Sequence, residues 1–248
     1  MPGRYLMVIR VPAFRSGPDS FEIESAFAEH LRSLRAQLGE LAATFVLACP
    51  ELGAEQRAGL ALGRVQASEG FEFRPLFPAG IGRLAYLRRL PAILRALRAE
   101  VERADIVHAG TSRLFQPFEF PALVMARRRG KRTISVTDID NRGSARMNYL
   151  TGRWSLREYL TTRLLHDSTE HLQQLYAVRA CSLVLLKGAA LAADYGRNRP
   201  NVKNFLDSAF EERHLIPPAR LQSKLRRAAR RDAPLRAGFF GRLIGIKG

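Results

Sequence analysis

Cysteine, acid and long apolar runs are all scarce in this chain, and each scarcity removes a class of protein. The two cysteines, Cys49 and Cys181, stand far apart, each at or beside an apolar segment. That fits reduced, buried thiols better than a disulfide framework or a cysteine metal site. No segment approaches the apolar length of a membrane span, and the start, Met1-Pro2-Gly3-Arg4, has no secretory pattern, so the expected compartment is cytoplasmic. No G-x-G-x-x-G is present, which argues against an isolated dinucleotide enzyme. No nucleophile elbow or Ser-His-Asp order appears, so hydrolase chemistry has no support. Acid is short by a wide margin: 23 Asp and Glu against 40 Lys and Arg leave a net charge of +17. Such a balance favours nucleic acid, an anionic membrane surface or phosphorylated substrates, without choosing among them. A GC-rich genome would also supply much of this arginine.

What is present is a regular alternation. Tyr5 to Val11 is a mostly apolar run, the pattern of a buried strand. The loop Pro12 to Ser20 carries Gly17, Pro18 and Asp19 as turn punctuation. Phe21 to Leu38 shows helical spacing, with Ile23, Phe27, Leu31, Leu34 and Leu38 on one face and Asp19 or Ser20 placed to cap it. Further strands are expected at Thr44 to Ala48, Phe71 to Leu76, Asp105 to His108, Thr133 to Thr137, Ser182 to Leu186 and Asn201 to Leu206. Helices are expected at Arg83 to Arg103 with an interruption near Pro91, Pro117 to Arg129, Trp154 to Ala180 and Ala189 to Tyr195. The pattern implies an α/β, Rossmann-like three-layer domain with a mostly parallel sheet of about seven strands.

Beyond Asp207 the character changes. Pro217-Pro218 precede a polar, cationic helix, Leu221 to Arg231, and a short strand, Leu235 to Phe240, ends the alternation. The chain thus divides into a Rossmann-like domain over 1–209, a linker over 210–234, and a strand and turn over 235–248. One strand cannot bury its own faces. It either joins the first sheet or belongs to a domain whose remainder is absent.

In an open parallel sheet, ligands bind at the carboxyl ends of the strands. The polar loops fall there: Arg15 to Asp19, His108 to Ser112, Asp138 to Arg142, and Lys187-Gly188. Asp138 and Asp140, with Arg142 close by, suit metal binding, acid–base work or the orienting of sugar hydroxyls. A turn in which Asp and Asn bond their own backbone accounts for the same residues. His108 at a strand end suits acceptor contact or a structural role. His166, Glu170 and His171, at i, i+4 and i+5 on the long helix, suit a solvated face better than a metal site, so no metal is expected. The helix over Arg83 to Arg103 interleaves leucines with Arg88, Arg89, Arg95 and Arg98, a pattern that either lies on an anionic membrane or packs leucines inward and shows arginines to water. In the tail, Gly241-Arg242 and Lys247-Gly248 make a glycine-flanked turn with two cations, suited to a phosphate but not a P-loop, because three residues separate Gly241 from Gly245.

Gly-Arg-Leu-x-x-x-Lys-Gly at 241–248 resembles the segment that opens the C-terminal domain of GT-B nucleotide-sugar glycosyltransferases, particularly the retaining family 4. Ala104-Asp105-Ile106-Val107-His108 is similar to that family's Asp-hydrophobic-hydrophobic-His segment, and Ser182 to Gly188 and Asn201 to Asp207 look like the last two strands of its acceptor domain. The resemblance implies an acceptor-side portion of a retaining transferase. Gly17, Arg242 and Lys247 would face the donor phosphates, Asp19, His108 and Lys187 the acceptor, and Asp138 or Asp140 would stand where the family carries a histidine and this chain has Ile139. It implies a nucleotide diphosphate sugar as donor substrate with no cofactor, and a glycan or lipid-linked acceptor. Peripheral contact with an anionic membrane is a further expected partner. It also implies little transfer by this chain alone, since the donor domain would only begin here. The alternative is a basic module without enzymatic activity that binds nucleic acid or membrane. Interleaved aromatics and a nucleic-acid motif are missing, which disfavours nucleic acid.

Overall fold

The structure is a computed structural model and describes residues 3–139, 141–205 and 216–229. Asp140, Arg242, Lys247 and the strand expected from Leu235 therefore lie outside the described residues. The first compact unit runs from Met1 to Asp207 and the second from Ser208 to Gly248.

Ten strands are described in the first unit: β1 (Arg4–Val8), β2 (Phe14–Gly17), β3 (Ser20–Glu24), β4 (Thr44–Glu51), β5 (Leu62–Gln66), β6 (Phe71–Pro78), β7 (Ile106–Ala109), β8 (Arg132–Thr137), β9 (Leu183–Lys187) and β10 (Val202–Phe205). Its helices are α1 (Ser25–Leu38), α2 (Arg83–Arg103), α3 (Glu119–Arg128), α4 (Asn141–Leu150), α5 (Leu156–Thr161), α6 (Ser168–Ala180) and α7 (Ala189–Gly196). In the second unit, α8 (Pro218–Ala228) is described.

Seven strands form one sheet in the order β10-β9-β8-β7-β1-β4-β6, every pair parallel. The expected α/β architecture is what the chain adopts. The apolar runs produce it because the central strands β1 and β4 bury both sides. Leu6, Val8, Val46, Ala48, Val107 and Val184 point into one core under α2, α3, α6 and α7. Tyr5, Met7, Phe45, Leu47, Phe71 and Ile106 point into the other, against α1. The chain builds outward from β1 through β4 to β6, then crosses over and builds the other way from β7 to β10. The reversal lies between β1 and β7.

Three local readings are corrected. The segment after β1 is a hairpin, not a glycine loop leading into a helix: β2 pairs antiparallel with β3, and β3 with β5, making a separate three-stranded sheet. Phe21 and Ile23 are buried while Glu22 and Glu24 are only partly so, a strand's alternation. Ile23 also fits a helical face with Phe27 and Leu31, but α1 starts at Ser25, and Glu24, which precedes it, supplies no side-chain cap. Gly63 of β5 permits the hairpin sheet to lie on α1, since a Cβ there would come within 2.9 Å of the Ala28 methyl. Next, α2 runs unbroken through Pro91. Pro91 sits on the exposed side, so the carbonyl one turn back that loses its partner is open to water. Finally, the long helix expected over Trp154 to Ala180 is three pieces. Ser155 caps α5, accepting from the Glu158 N–H at 3.3 Å while the Glu158 carboxylate accepts from the Ser155 N–H at 2.8 Å. A π-helical turn, Thr162–Asp167, then joins α5 to α6.

At the amino end of the sheet an ionic cluster ties β1, β6 and α2 together. Arg4 donates to both Glu72 oxygens at 3.1 and 2.9 Å and to Glu100 at 3.2 Å, and Arg74 donates to the same two carboxylates. Both cysteines are free and buried, and burial pushes both thiols upward in pKa.

Candidate functional site

The reversal between β1 and β7 makes a topological switch point at the carboxyl ends of these strands, the position of the ligand crevice in open α/β sheets. Its floor is the segment from Gly110 to Phe118. Gly110 suits the close approach of the chain after β7 to β8, since a Cβ there would stand a tight 3.0 Å from the Val136 carbonyl oxygen. The segment is pinned from several sides. Ser112 donates its N–H to Gln173 Oε1 at 2.6 Å, and Gln173 Nε2 donates back to the Ser112 carbonyl at 3.1 Å. Ser112 Oγ accepts from the Phe120 N–H in the first turn of α3 at 2.7 Å. Tyr86 donates its hydroxyl to the Pro117 carbonyl at 2.9 Å. A loop with this many anchors is preorganised.

Arg10, just past β1, reaches across the crevice. Its guanidinium donates to the Gln116 carbonyl at 3.1 Å and to Glu119 Oε2 at 2.5 Å, and it lies 4.8 Å from the centre of the Phe118 ring. Glu119 opens α3, where the helix dipole favours a carboxylate. Burial nevertheless dominates and pushes its carboxyl up from 4.5 to about 7; Arg10 opposes this and Asp138 adds to it. A carboxyl that changes charge near neutrality in a preorganised crevice can exchange a proton with a bound group.

Asp138 follows β8, is exposed, and lies within electrostatic range of Glu119. Lys187 closes β9 half-buried, followed by Gly188, whose N–H donates to Asn204 at 3.0 Å. His108 lies in β7, with Ile106 on the same side of the strand, and its Nδ1 is 2.7 Å from the Tyr5 hydroxyl. Burial holds the imidazole down, from 6.5 to about 4. It is therefore neutral near pH 7, and a ring carbon resonance of His108 is expected to stay constant in an NMR titration until the pH falls to about 5. Movement near 6.5 would contradict this placement.

The structure thus brings Asp138, His108 and Lys187 to adjacent strands. It does not bring Gly17 and Asp19 to them. Both lie at the turn of the β2–β3 hairpin, and the Asp19 carbonyl accepts from the Ala67 N–H at 2.8 Å, just ahead of the amino end of β6. The hairpin's antiparallel pairing carries them away from the crevice, so the expected glycine loop facing a donor is not formed there.

A second polar cleft lies beyond β8, lined by Thr137, Asn141, Asp167, His171, Gln174 and Tyr195 among others. Gln174 Nε2 donates to Thr137 Oγ1 at 2.6 Å, and His171 Nδ1 is 2.9 Å from the Tyr195 hydroxyl. Asp167 accepts from Arg163 at 3.3 Å through one oxygen, while its other oxygen and Gln174 Oε1 are buried without a hydrogen-bond partner among the described residues. No group of three or more metal-ligating side chains occurs among the described residues.

No family model and no curated protein matches the chain. Among solved structures, UGT89C1 of Arabidopsis thaliana, a glycosyltransferase complexed with quercetin, matches over 90% of this chain and 55% of its own, at 13% identity and a TM-score of 0.36. A putative ribokinase II from E. coli, in its apo form, matches over 77% and 64%, at 11% identity and a TM-score of 0.37. The chain spans about half the length of the first. Likenesses this slight assign neither family nor activity.

Proposed function

We propose that the chain is the acceptor-side portion of a retaining glycosyltransferase, one that moves a sugar from a nucleotide diphosphate sugar to a glycan or lipid-linked acceptor. The observation that carries this reading is the Arg10–Glu119 pair at the β1/β7 reversal, with Asp138 in range. In such a transfer the bond from the anomeric carbon to the diphosphate breaks and one to the acceptor oxygen forms, which releases the acceptor's hydroxyl proton. Glu119, held near 7, suits taking that proton, and Asp138 and Lys187 suit orienting the hydroxyls around it. Within this proposal, Asp140 remains a candidate beside Asp138, and Arg242 and Lys247 are the groups for the donor diphosphate. The histidine of the family's pattern has no counterpart at Ile139, so the proton-handling role passes to carboxylates.

Calorimetry with glycan acceptors and with nucleotide diphosphate sugars tests this. Glycan binding is expected, weakened by about tenfold or more in Asp138→Ala. Little sugar transfer is expected from the 248-residue chain, and robust turnover would overturn that part. Absence of any glycan or nucleotide-sugar binding, together with steeply salt-dependent binding to DNA, would replace the proposal with a basic nucleic-acid module.

A further inference from the structure

Between β8 and α6 the chain makes a helical excursion that the sheet does not need. Arm α4 turns back at 151–155 into α5 and the π-helical turn, and the stacked rings of Tyr149 and Tyr159, 4.8 Å apart, hold the two arms side by side. The excursion is apolar on its outside. Of the sixteen large hydrophobic side chains that are exposed among the described residues, nine fall between Ile139 and Leu172. Leu150 is 66% exposed and Leu164 69%. Leu156, Leu160 and Leu164 recur at steps of four, which puts them in one row along the helix. A concentration of this kind, in a chain whose other exposed leucines are scattered, marks a contact surface.

The charge around it says what the contact is. The stretch from Asn141 to Leu165 holds five arginines and one acid, Glu158. Glu158 is occupied at the start of α5, bonded to the Ser155 backbone and hydroxyl. Arg146 and Arg157 are exposed on the two arms, and the turn between them carries Trp154, the single tryptophan of the chain. Leucines in a row, arginines flanking them, and Trp and Tyr at the margin are the composition of a surface that lies in a lipid headgroup region. A protein partner of this face would need matching acid, and a second copy of this chain would oppose arginine with arginine.

We infer that the α4–α5 excursion docks the protein on an anionic membrane surface, with Leu156, Leu160 and Leu164 entering the acyl boundary and Arg146 and Arg157 meeting lipid phosphates. This surface differs from the arginine face of α2, where Ile93 and Leu97 are buried against the sheet. It also stands independently of sugar transfer, so either proposal survives failure of the other. Because α4 begins just past β8, docking here would bring the crevice to the lipid surface.

The full chain is mixed with vesicles of phosphatidylcholine alone and of phosphatidylcholine with phosphatidylglycerol, and binding is read by cosedimentation and by Trp154 emission. Binding to the anionic vesicles with a blue shift of Trp154, and quenching by brominated lipid, is expected. The triple variant Leu156→Ser, Leu160→Ser, Leu164→Ser should bind at least about tenfold more weakly. Arg146→Glu with Arg157→Glu should lose the preference for anionic lipid, while Arg88→Glu with Arg89→Glu on α2 should bind as the parent does. The inference is overturned if Trp154 is not quenched in the parent protein, if the leucine variant binds equally well, or if anionic lipid makes no difference. It is equally overturned if the parent is a dimer that ignores vesicles and the leucine variant is a monomer.

Discussion

Phe118→Ala should lower stability by about 3–5 kcal/mol, the usual cost of removing a buried aromatic ring. Phe118 is fully buried and sits at the joint between fold and site. One side packs edge-on against Phe77, ring centres 5.2 Å apart, and the other carries the Arg10 guanidinium. No neighbour can fill the space cheaply, because Phe77 is itself held edge-on by Tyr86, and the Tyr86 hydroxyl is committed to Pro117. A melting temperature lower by about 10 °C is the corresponding shift for a chain of this length. Phe118→Leu keeps most of the volume and should cost less than about 1.5 kcal/mol, but it removes the π face beneath Arg10. A small stability loss in the leucine variant with a clear change in the titration of Glu119 would separate packing from charge placement. Equal stability losses in both variants would contradict this account.

The second large effect concerns pH. The Glu119 carboxyl lies at about 7 in the folded protein against 4.5 for an ordinary glutamate. The folded state therefore holds this proton more tightly than the unfolded chain. The stability it contributes is fully present below about pH 4.5 and is lost as pH rises through about 7, a total of about 3 kcal/mol. His108 works the other way, since its depressed value contributes stability above about 6.5 that is lost as pH falls through about 4. The two windows overlap, so the raw pH profile of the protein hides both. The difference between the parent and Glu119→Gln isolates one. Between about pH 4.5 and 7.5 denaturant titrations should show the glutamine variant gaining on the parent by about 3 kcal/mol. Parallel profiles would mean that Arg10 keeps Glu119 ionised throughout.

Much of this fold was legible because a parallel sheet writes itself as apolar runs. Phe45 to Cys49 or Val107 to Ala109 can hardly be anything but buried strand, and the polar loops after them had to fall on one edge. The hairpin was illegible for a physical reason: Ile23, Phe27 and Leu31, at steps of four, satisfy the helical and strand periods together, and only the pairing with β5 decides between them. Strand β5 itself, Leu-Gly-Arg-Val-Gln, carries too little apolar signal to announce that pairing. Helix α4 was hidden by Gly143 and its polar neighbours. The placement of Asp138, His108 and Lys187 at or near strand ends was legible from the apolar runs that precede them. Glu119 was not, because a glutamate opening a helix looks like a response to the dipole, and nothing local says that Arg10, on the order of a hundred residues away, closes over it. Asp167 and Gln174 were missed for the same reason, their burial being created by elements distant in sequence.

The position of β1 has a consequence for how the chain comes to be folded. It is an interior strand, flanked by β7 and β4, yet it precedes both in the chain. Its partner on one side starts at Thr44, and on the other Tyr5 pairs with Ile106. During synthesis from the amino end, the centre of the sheet stays open until on the order of a hundred residues have emerged, and the crevice above it cannot exist before then. Such distant parallel pairings make closure slow, with a long loop to organise first. Any sheet that β1, β4 and β6 form before β7 arrives would carry an open apolar edge, the kind of surface that invites association or chaperone capture.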